Sequence, residues 1–216
     1  MLKLDNIGYR YKKSNRDVLK NINAEMTSGK LHAIMGPSGS GKTTLLSIMA
    51  GMDKPTYGQV FIDGDDLAKM DLDAYRRERI AFIFQAFQLF PLLTAVENVC
   101  YPMEMLGVEQ KKASSRAKDL LYSVGIDAEK HNRFPANLSG GEQQRVAIAR
   151  SLASGAKVIL ADEPTGNLDT ANSDAVMDIL RHLAHKQDYC VVIVTHNPEI
   201  ADSADVVFRM KDGELR

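Results

Sequence analysis

The feature that most constrains this chain is the run Gly36-Pro37-Ser38-Gly39-Ser40-Gly41-Lys42-Thr43, which fits the spacing G-x-x-x-x-G-K-[ST]. It follows an apolar run at 31–35 and leads into a helical stretch at 43–50 that Gly51 closes. Glycines permit a backbone curl that turns several N–H groups toward one point. The helix that follows aims the positive end of its dipole, about half a charge, at the same point. Lys42 adds a full positive charge, and Thr43 a hydroxyl able to coordinate Mg²⁺. A strand, a glycine-rich loop and a helix arranged around an anion imply an α/β fold with a phosphate cradle. They do not specify the reaction, because kinases, GTPases and motor proteins share this loop.

The rest of the chain follows the same pattern. Residues 2–7 and 21–26 alternate apolar and polar, as half-exposed strands do, and Pro55, Gly58 and Gly64 punctuate a hairpin through 59–63. Continuous apolar runs at 80–84, 158–161 and 189–194 predict buried strands. Helices are predicted over 143–153 and 173–184, and 206–210 with the turn at 211–213 predicts a closing hairpin. Buried strands alternating with helices imply a mostly parallel sheet with helices on its faces. From about 91 to 137 the spacing becomes helical, as at Ala117, Leu120, Leu121 and Val124, which predicts a helical insertion between two halves of the sheet. One domain over 1–216 is the expected organisation.

Lys and Arg number 27 against 28 Asp and Glu, a net charge of -1 with no basic stripe, so no nucleic-acid partner is expected. Cys100 and Cys190 fit no metal or redox spacing, and Cys190 is expected to be a small buried hydrophobe. Reduced thiols and the lack of a signal peptide predict the cytosol. No apolar stretch approaches the roughly 20 residues that span a bilayer. A membrane task would therefore need another chain.

Two further segments carry chemistry. The apolar strand at 158–161 ends in Asp162 and Glu163, an expensive place for carboxylates unless a cation meets them. Asp162 is placed to support Mg²⁺ and Glu163 to polarise an attacking water; the alternative is an acidic helix N-cap. Leu138-Ser139-Gly140-Gly141-Glu142 opens a second helix, with Ser139 as N-cap and Glu142 three residues on, as in a capping box.

With that segment the chain resembles the ABC ATPase family, whose signature reads LSGGQ or LSGGE. The resemblance covers essentially the whole chain. It implies a P-loop NTPase fold of ABC ATPase type, with a mostly parallel core, an N-terminal antiparallel β subdomain and an inserted helical subdomain. It implies ATP and Mg²⁺ as ligands, held in cis by Gly36, Pro37, Ser38, Gly39, Ser40, Gly41, Lys42, Thr43 and Thr44, and an ATP-dependent homodimer. Ser139, Gly140, Gly141 and Glu142 would grip the γ-phosphate of ATP held by the other subunit. Gln85 matches the glutamine that contacts the metal and the attacking water, Asp169 the acid that reaches across the dimer, and His196 the histidine that senses the γ-phosphate. Tyr11 matches the aromatic that stacks on adenine, with Tyr9 a near competitor. Catalysis would thus fall to Glu163, His196, Gln85 and Lys42, and the metal to Thr43, Gln85 and Asp162.

Residues 84–99 and 162–169 look like the subgroup of macrolide and antimicrobial-peptide exporters, lipoprotein-release systems and the cell-division ABC complex. Amino-acid importers more often read PTSALDP where this chain has Pro164-Thr165-Gly166-Asn167-Leu168-Asp169-Thr170, and the chain stops soon after its last hairpin. The implied partners are an integral membrane permease and a membrane-fusion or adaptor protein. The implied location is the cytoplasmic face of the membrane. Force transmission to an extracellular enzyme, or amino-acid import, would use the same motor. A DNA-repair ATPase would need a long coiled coil between the loop and the signature, and none is present. Phe87, Leu89, Phe90, Leu92 and Leu93 are apolar for a loop leaving an active site. Some are expected to pack the helices and others, Phe87 first, to line a groove for a permease helix.

Overall fold

The computed structural model describes residues 1–12 and 16–216. Strands β1 (Leu2–Tyr9), β2 (Leu19–Met26) and β3 (Lys30–Met35) lead to α1 (Lys42–Met49). Then come β4 (Tyr57–Ile62), β5 (Asp65–Asp66), α2 (Leu72–Glu78), β6 (Ile80–Ile83), α3 (Ala95–Met105) and α4 (Gln110–Ser123). The chain continues through α5 (Gly140–Ala153), β7 (Val158–Asp162), α6 (Thr170–Gln187), β8 (Cys190–Thr195) and α7 (Pro198–Asp202) to the hairpin of β9 (Val206–Lys211) and β10 (Glu214–Leu215).

Two sheets organise these elements. The antiparallel one runs β2-β1-β4-β5, and the larger one runs β10-β9-β3-β8-β7-β6, parallel throughout except for the closing hairpin. Alternation along the parallel strands divides the interior in two. Leu31, Ala33, Ile159, Ala161, Val191 and Ile193 enter a core shared with α3 to α6. Ile34, Val158, Leu160, Val192 and Val194 enter a second core with α1 and the antiparallel sheet. Each of the valines, leucines and isoleucines among them contributes about 1.5–3 kcal/mol relative to exposure. In β1 the alternation fails at Asn6, whose φ of 52° marks a register shift after Leu4 and returns Ile7 to the interior.

Some boundaries differ from the sequence reading. The helix predicted at 143–153 starts at Gly140, and the one at 173–184 extends over Thr170–Gln187. Helix α2 was not predicted. It buries Tyr75, flanked in sequence by Asp73, Arg76 and Arg77, in the second core and is capped by Asp71, which accepts from the N–H groups of Asp73 and Ala74. So short and polar a segment has no apolar period to read. Cys190 is fully buried, as the sequence implied. Among the described residues no helix is long and apolar enough to cross a membrane.

Candidate functional site

Strands β3, β8, β7 and β6 are neighbours in one parallel sheet, so their C-terminal ends share one edge. Ligands in open α/β sheets bind at that edge. The loop at 36–41 leaves β3, His196 follows β8, Glu163 follows β7 and Gln85 follows β6. The topology thus brings together residues that are far apart in sequence.

The glycine loop ends in Gly41, the N-cap of α1, with φ 107° and no side chain to satisfy the helix's first amides. Those N–H groups are left for an anion. Gly39, at φ 77°, has nothing within 4 Å of where a Cβ would stand, so the cradle is open there. Lys42 is 6% exposed and donates to the carbonyls of Gly36 at 2.7 Å and Pro37 at 2.9 Å. Its charge acts on Asp162 without a close ion pair among the described residues, so a buried ammonium with a donor to spare lines the cleft. Ser40 behaves differently from its neighbours. Its hydroxyl is buried without a hydrogen bond near Gly36, while its N–H donates to the Pro37 carbonyl and its carbonyl accepts from the Gly213 N–H, so both backbone groups are already partnered.

A cleft of about 330 Å³ runs beside this loop, lined by Tyr11, Gly39, Gly41, Lys42, Thr43 and Thr44. Tyr11 is half exposed, and its hydroxyl shares a hydrogen bond with Thr44 Oγ1 at 3.1 Å. Tyr9 meets Tyr11 edge-on at 5.0 Å and is engaged with Asp53. Of the two rings, Tyr11 is the one that lines the cleft.

On the other side of the loop, Thr43 Oγ1 donates to Asp162 Oδ1 at 3.5 Å. Burial pushes the Asp162 carboxyl above the usual carboxylate range; the Thr43 hydroxyl pulls it back and the charge of Glu163 raises it. Glu163 sits at φ 45°, a left-handed conformation costly for a non-glycine residue and often found at functional sites. Its Oε1 is 2.8 Å from His196 Nδ1. A Cβ at Gly166 would stand 3.0 Å from Gln85 Nε2 and 3.3 Å from Glu163 Oε2, so glycine keeps the two side chains close. Asn167 Nδ2 donates to the Gln85 carbonyl at 3.0 Å.

The oxygen donors of Thr43, Asp162 and Gln85 suit Mg²⁺, which takes one or two carboxylates and completes its shell with phosphate and water. Among the described residues no group of three or more His, Cys, Asp or Glu could hold a metal unaided.

The Ser139 segment stands apart from this cluster. Ser139 N-caps α5, its Oγ accepting from the Glu142 N–H at 3.3 Å and its own N–H donating to Glu142 Oε2 at 2.8 Å. A Cβ at Gly141 would collide with Asn172 Oδ1, and one at Gly140 would meet Phe87 at 3.6 Å. Asp169 caps α6 and accepts from Asn172, whose backbone N–H holds the carboxyl below its ordinary value. Among the described residues no hydrogen bond or ion pair joins 139–142 to 36–44.

The contacts of three residues escaped the sequence reading. Gln144, fully buried, donates to the Pro164 carbonyl next to Glu163 at 2.7 Å. Arg150 donates to the carbonyls of Gln88 at 2.6 Å and Phe87 at 3.3 Å, gripping the segment after Gln85. Lys130 lies 3.1 Å from Glu142. Each links residues separated along the chain, and no local spacing signals them.

Phe87, the first choice for an exposed groove residue, is half-buried over Gly140 instead. The free apolar surface is at Leu92, 86% exposed, and around a groove of about 480 Å³ lined by Phe84, Phe90, Tyr101, Met105 and Leu106. Arg150 holds the Phe87 and Gln88 carbonyls, and the Phe87 ring is not among the side chains lining that groove.

A family model described as ABC transporter matches residues 19–166. An ABC transporter ATP-binding protein of Bacillus subtilis, YclH, is 39% identical over all of this chain and 95% of its own length. The macrolide export ATP-binding/permease protein MacB of Shigella sonnei is 44% identical over all of this chain, which spans 34% of that longer protein. A solved dimer of the ATP-binding cassette MJ0796 of Methanocaldococcus jannaschii, in a post-hydrolysis state with ADP and Pi, superposes with a TM-score of 0.90 at 40% identity. The superposition covers 100% of this chain and 97% of that one.

Proposed function

This chain belongs to the ABC transporter family as its ATPase module, and from that premise we propose that it hydrolyses ATP in sites shared between two copies of itself. The observation that carries the reading is the division of its functional groups. Lys42, Thr43, Asp162, Glu163, Gln85 and His196 gather at one sheet edge, and the capped Ser139 helix stands apart from them. The dimeric state of the MJ0796 cassette supports the same arrangement.

In this reading Lys42 and the open amides of α1 hold the β- and γ-phosphates, and Tyr11 lies against the adenine. Thr43, Asp162 and Gln85 would hold Mg²⁺, which supplies charge neutralisation on the phosphates when bound. Glu163 takes the proton of the attacking water, and His196 orients the Glu163 carboxylate through Nδ1. Ser139, Gly140 and Gly141 of the second copy close on the γ-phosphate, and Asp169 lies at the same dimer face.

Closure would drive a membrane permease seated in the groove of Phe90, Tyr101 and Met105, on the cytoplasmic side. The helices between 91 and 137 would form the arm that carries this groove. The likeness to MacB, named for macrolide export, favours outward transport, with an adaptor protein as a further partner.

The test is Glu163→Gln. ATP binding should persist while hydrolysis falls by roughly 10²–10⁴, the range for losing a positioned general base. With ATP uncleaved, the variant should accumulate as a dimer in sedimentation. Near-normal turnover would refute the reading.

A further inference from the structure

Glu142 poses a physical problem for the Ser139 helix. A carboxylate in the first turn stabilises the helix, yet it offsets the same N-terminal dipole that would hold a phosphate. Glu142 cannot swing away into water: its side chain is 15% exposed and one oxygen accepts from the Ser139 N–H. The other oxygen lies 3.1 Å from Lys130 Nζ, itself 24% exposed and, among the described residues, in no other ion pair. Lys130 is held in place by its surroundings. Its N–H donates to Asp127 O, and the adjoining carbonyls of His131 and Arg133 accept from Val96 and Ala95 at the start of α3. His131 is buried, with Nε2 2.9 Å from the Ile126 carbonyl. A mostly buried ion pair adds little stability that an apolar pair would not, so stability alone does not explain it.

We propose that Lys130 is a positioning residue for the half-site that meets the second copy's ATP. It cancels the Glu142 charge beside the phosphate position and fixes the Glu142 rotamer that holds Ser139. The inference rests on the shared-site reading above. A chain with glutamine in place of Glu142 would have no charge to cancel, so the requirement for Lys130 should vanish with that carboxylate.

The experiment measures ATP-dependent dimerisation by sedimentation in the Glu163→Gln background. Lys130→Met keeps the aliphatic stem and removes the charge; it should raise the dimer dissociation constant about tenfold or more, since each dimer contains two such sites. Binding of a fluorescent ATP analogue to the monomer should not change. Lys130→Arg should match the parent, and adding Glu142→Gln to Lys130→Met should recover most of the loss. Normal dimerisation of Lys130→Met, or a loss that Glu142→Gln does not relieve, overturns the proposal while leaving the shared site intact. A parent that stays monomeric at saturating ATP instead removes the shared-site reading, and the inference falls with it. Should Lys130→Met not fold, the double variant is compared with Glu142→Gln alone. Equal dimerisation is expected, and a deficit overturns the proposal.

Discussion

The two helices that begin in glycine-rich turns, α1 and α5, start in opposite ways. Helix α1 has Gly41 as its N-cap, no side-chain cap and no acid in its first turn. Helix α5 has a complete capping box from Ser139 and Glu142. The first therefore leaves its amides and the buried Lys42 needing an anion, whereas the second is largely satisfied by its own side chains. An uncapped helix start beside an unpaired ammonium can bind phosphate by itself; a capped one adds a weaker grip once another molecule presents the phosphate. Under the shared-site reading, the difference makes binding a property of one chain and hydrolysis a property of two.

Variants on each side should separate these properties, beginning with the largest effect. Lys42→Ala removes the charge on the α1 side. ATP binding to the monomer should weaken roughly tenfold to a hundredfold, as for hydrogen bonds to charged groups worth about 1.5–3 kcal/mol. Isothermal titration checks this, and unchanged affinity would dissolve the contrast.

Tyr11→Ala tests the same side through the base. Base–aromatic stacking is worth about 1–3 kcal/mol and tolerates any base. The variant should need more ATP for half-maximal turnover, and the parent should also hydrolyse GTP. Strict ATP specificity would move the contact to Tyr9 or to hydrogen-bonding groups.

Ser139→Ala acts on the α5 side. It should leave monomer ATP affinity unchanged, weaken ATP-dependent dimerisation, and cost about 0.5–2 kcal/mol of stability as a lost N-cap. A loss of monomer binding would place Ser139 in the cis site instead.

The smallest effect concerns His32 on β3, the strand that feeds the α1 loop. Thr27 N–H donates to its Nε2 and Nδ1 lies 3.3 Å from the Val191 carbonyl, a neutral ring whose burial lowers its pKa. The unfolded chain then takes up the proton first. Stability should be fully present above about pH 6.5 and decline as pH falls below it. Urea midpoints across that range should show the slope, and His32→Gln should flatten it.

What the sequence revealed divides along physical lines. The α1 loop, the strand ending at Asp162 and the cap at Ser139 were legible because glycine patterns, apolar runs and capping spacings are local. Glu163 was legible at the end of its strand and His196 only as a family pattern, but their pairing was not, since 33 residues separate them. Lys130 and Arg150 were not legible, because what defines each is a contact made by tertiary packing. The apolar run after Gln85 showed that some of its side chains must be exposed. It could not show that Phe87 turns in over Gly140 while Leu92 stays out, in a segment whose Phe87 and Gln88 carbonyls are held by Arg150. A charge at Met105, 62% exposed in the groove, is accordingly the better probe of a membrane partner. Met105→Glu should keep basal ATPase activity and lose co-purification with the permease.

The most direct test of the two-chain site mixes two inactive variants. Lys42→Ala disables the α1 side, and Ser139→Arg fills the α5 side. A mixed dimer of the two places one intact α1 loop against one intact α5 start and gathers both defects in the other site. Equal mixing should restore ATP turnover to roughly a quarter of the parent rate, because half the dimers are mixed and each has one working site under two-fold symmetry. If turnover in the mixture stays at the sum of the two separate variants, both halves act within one chain and the account is wrong.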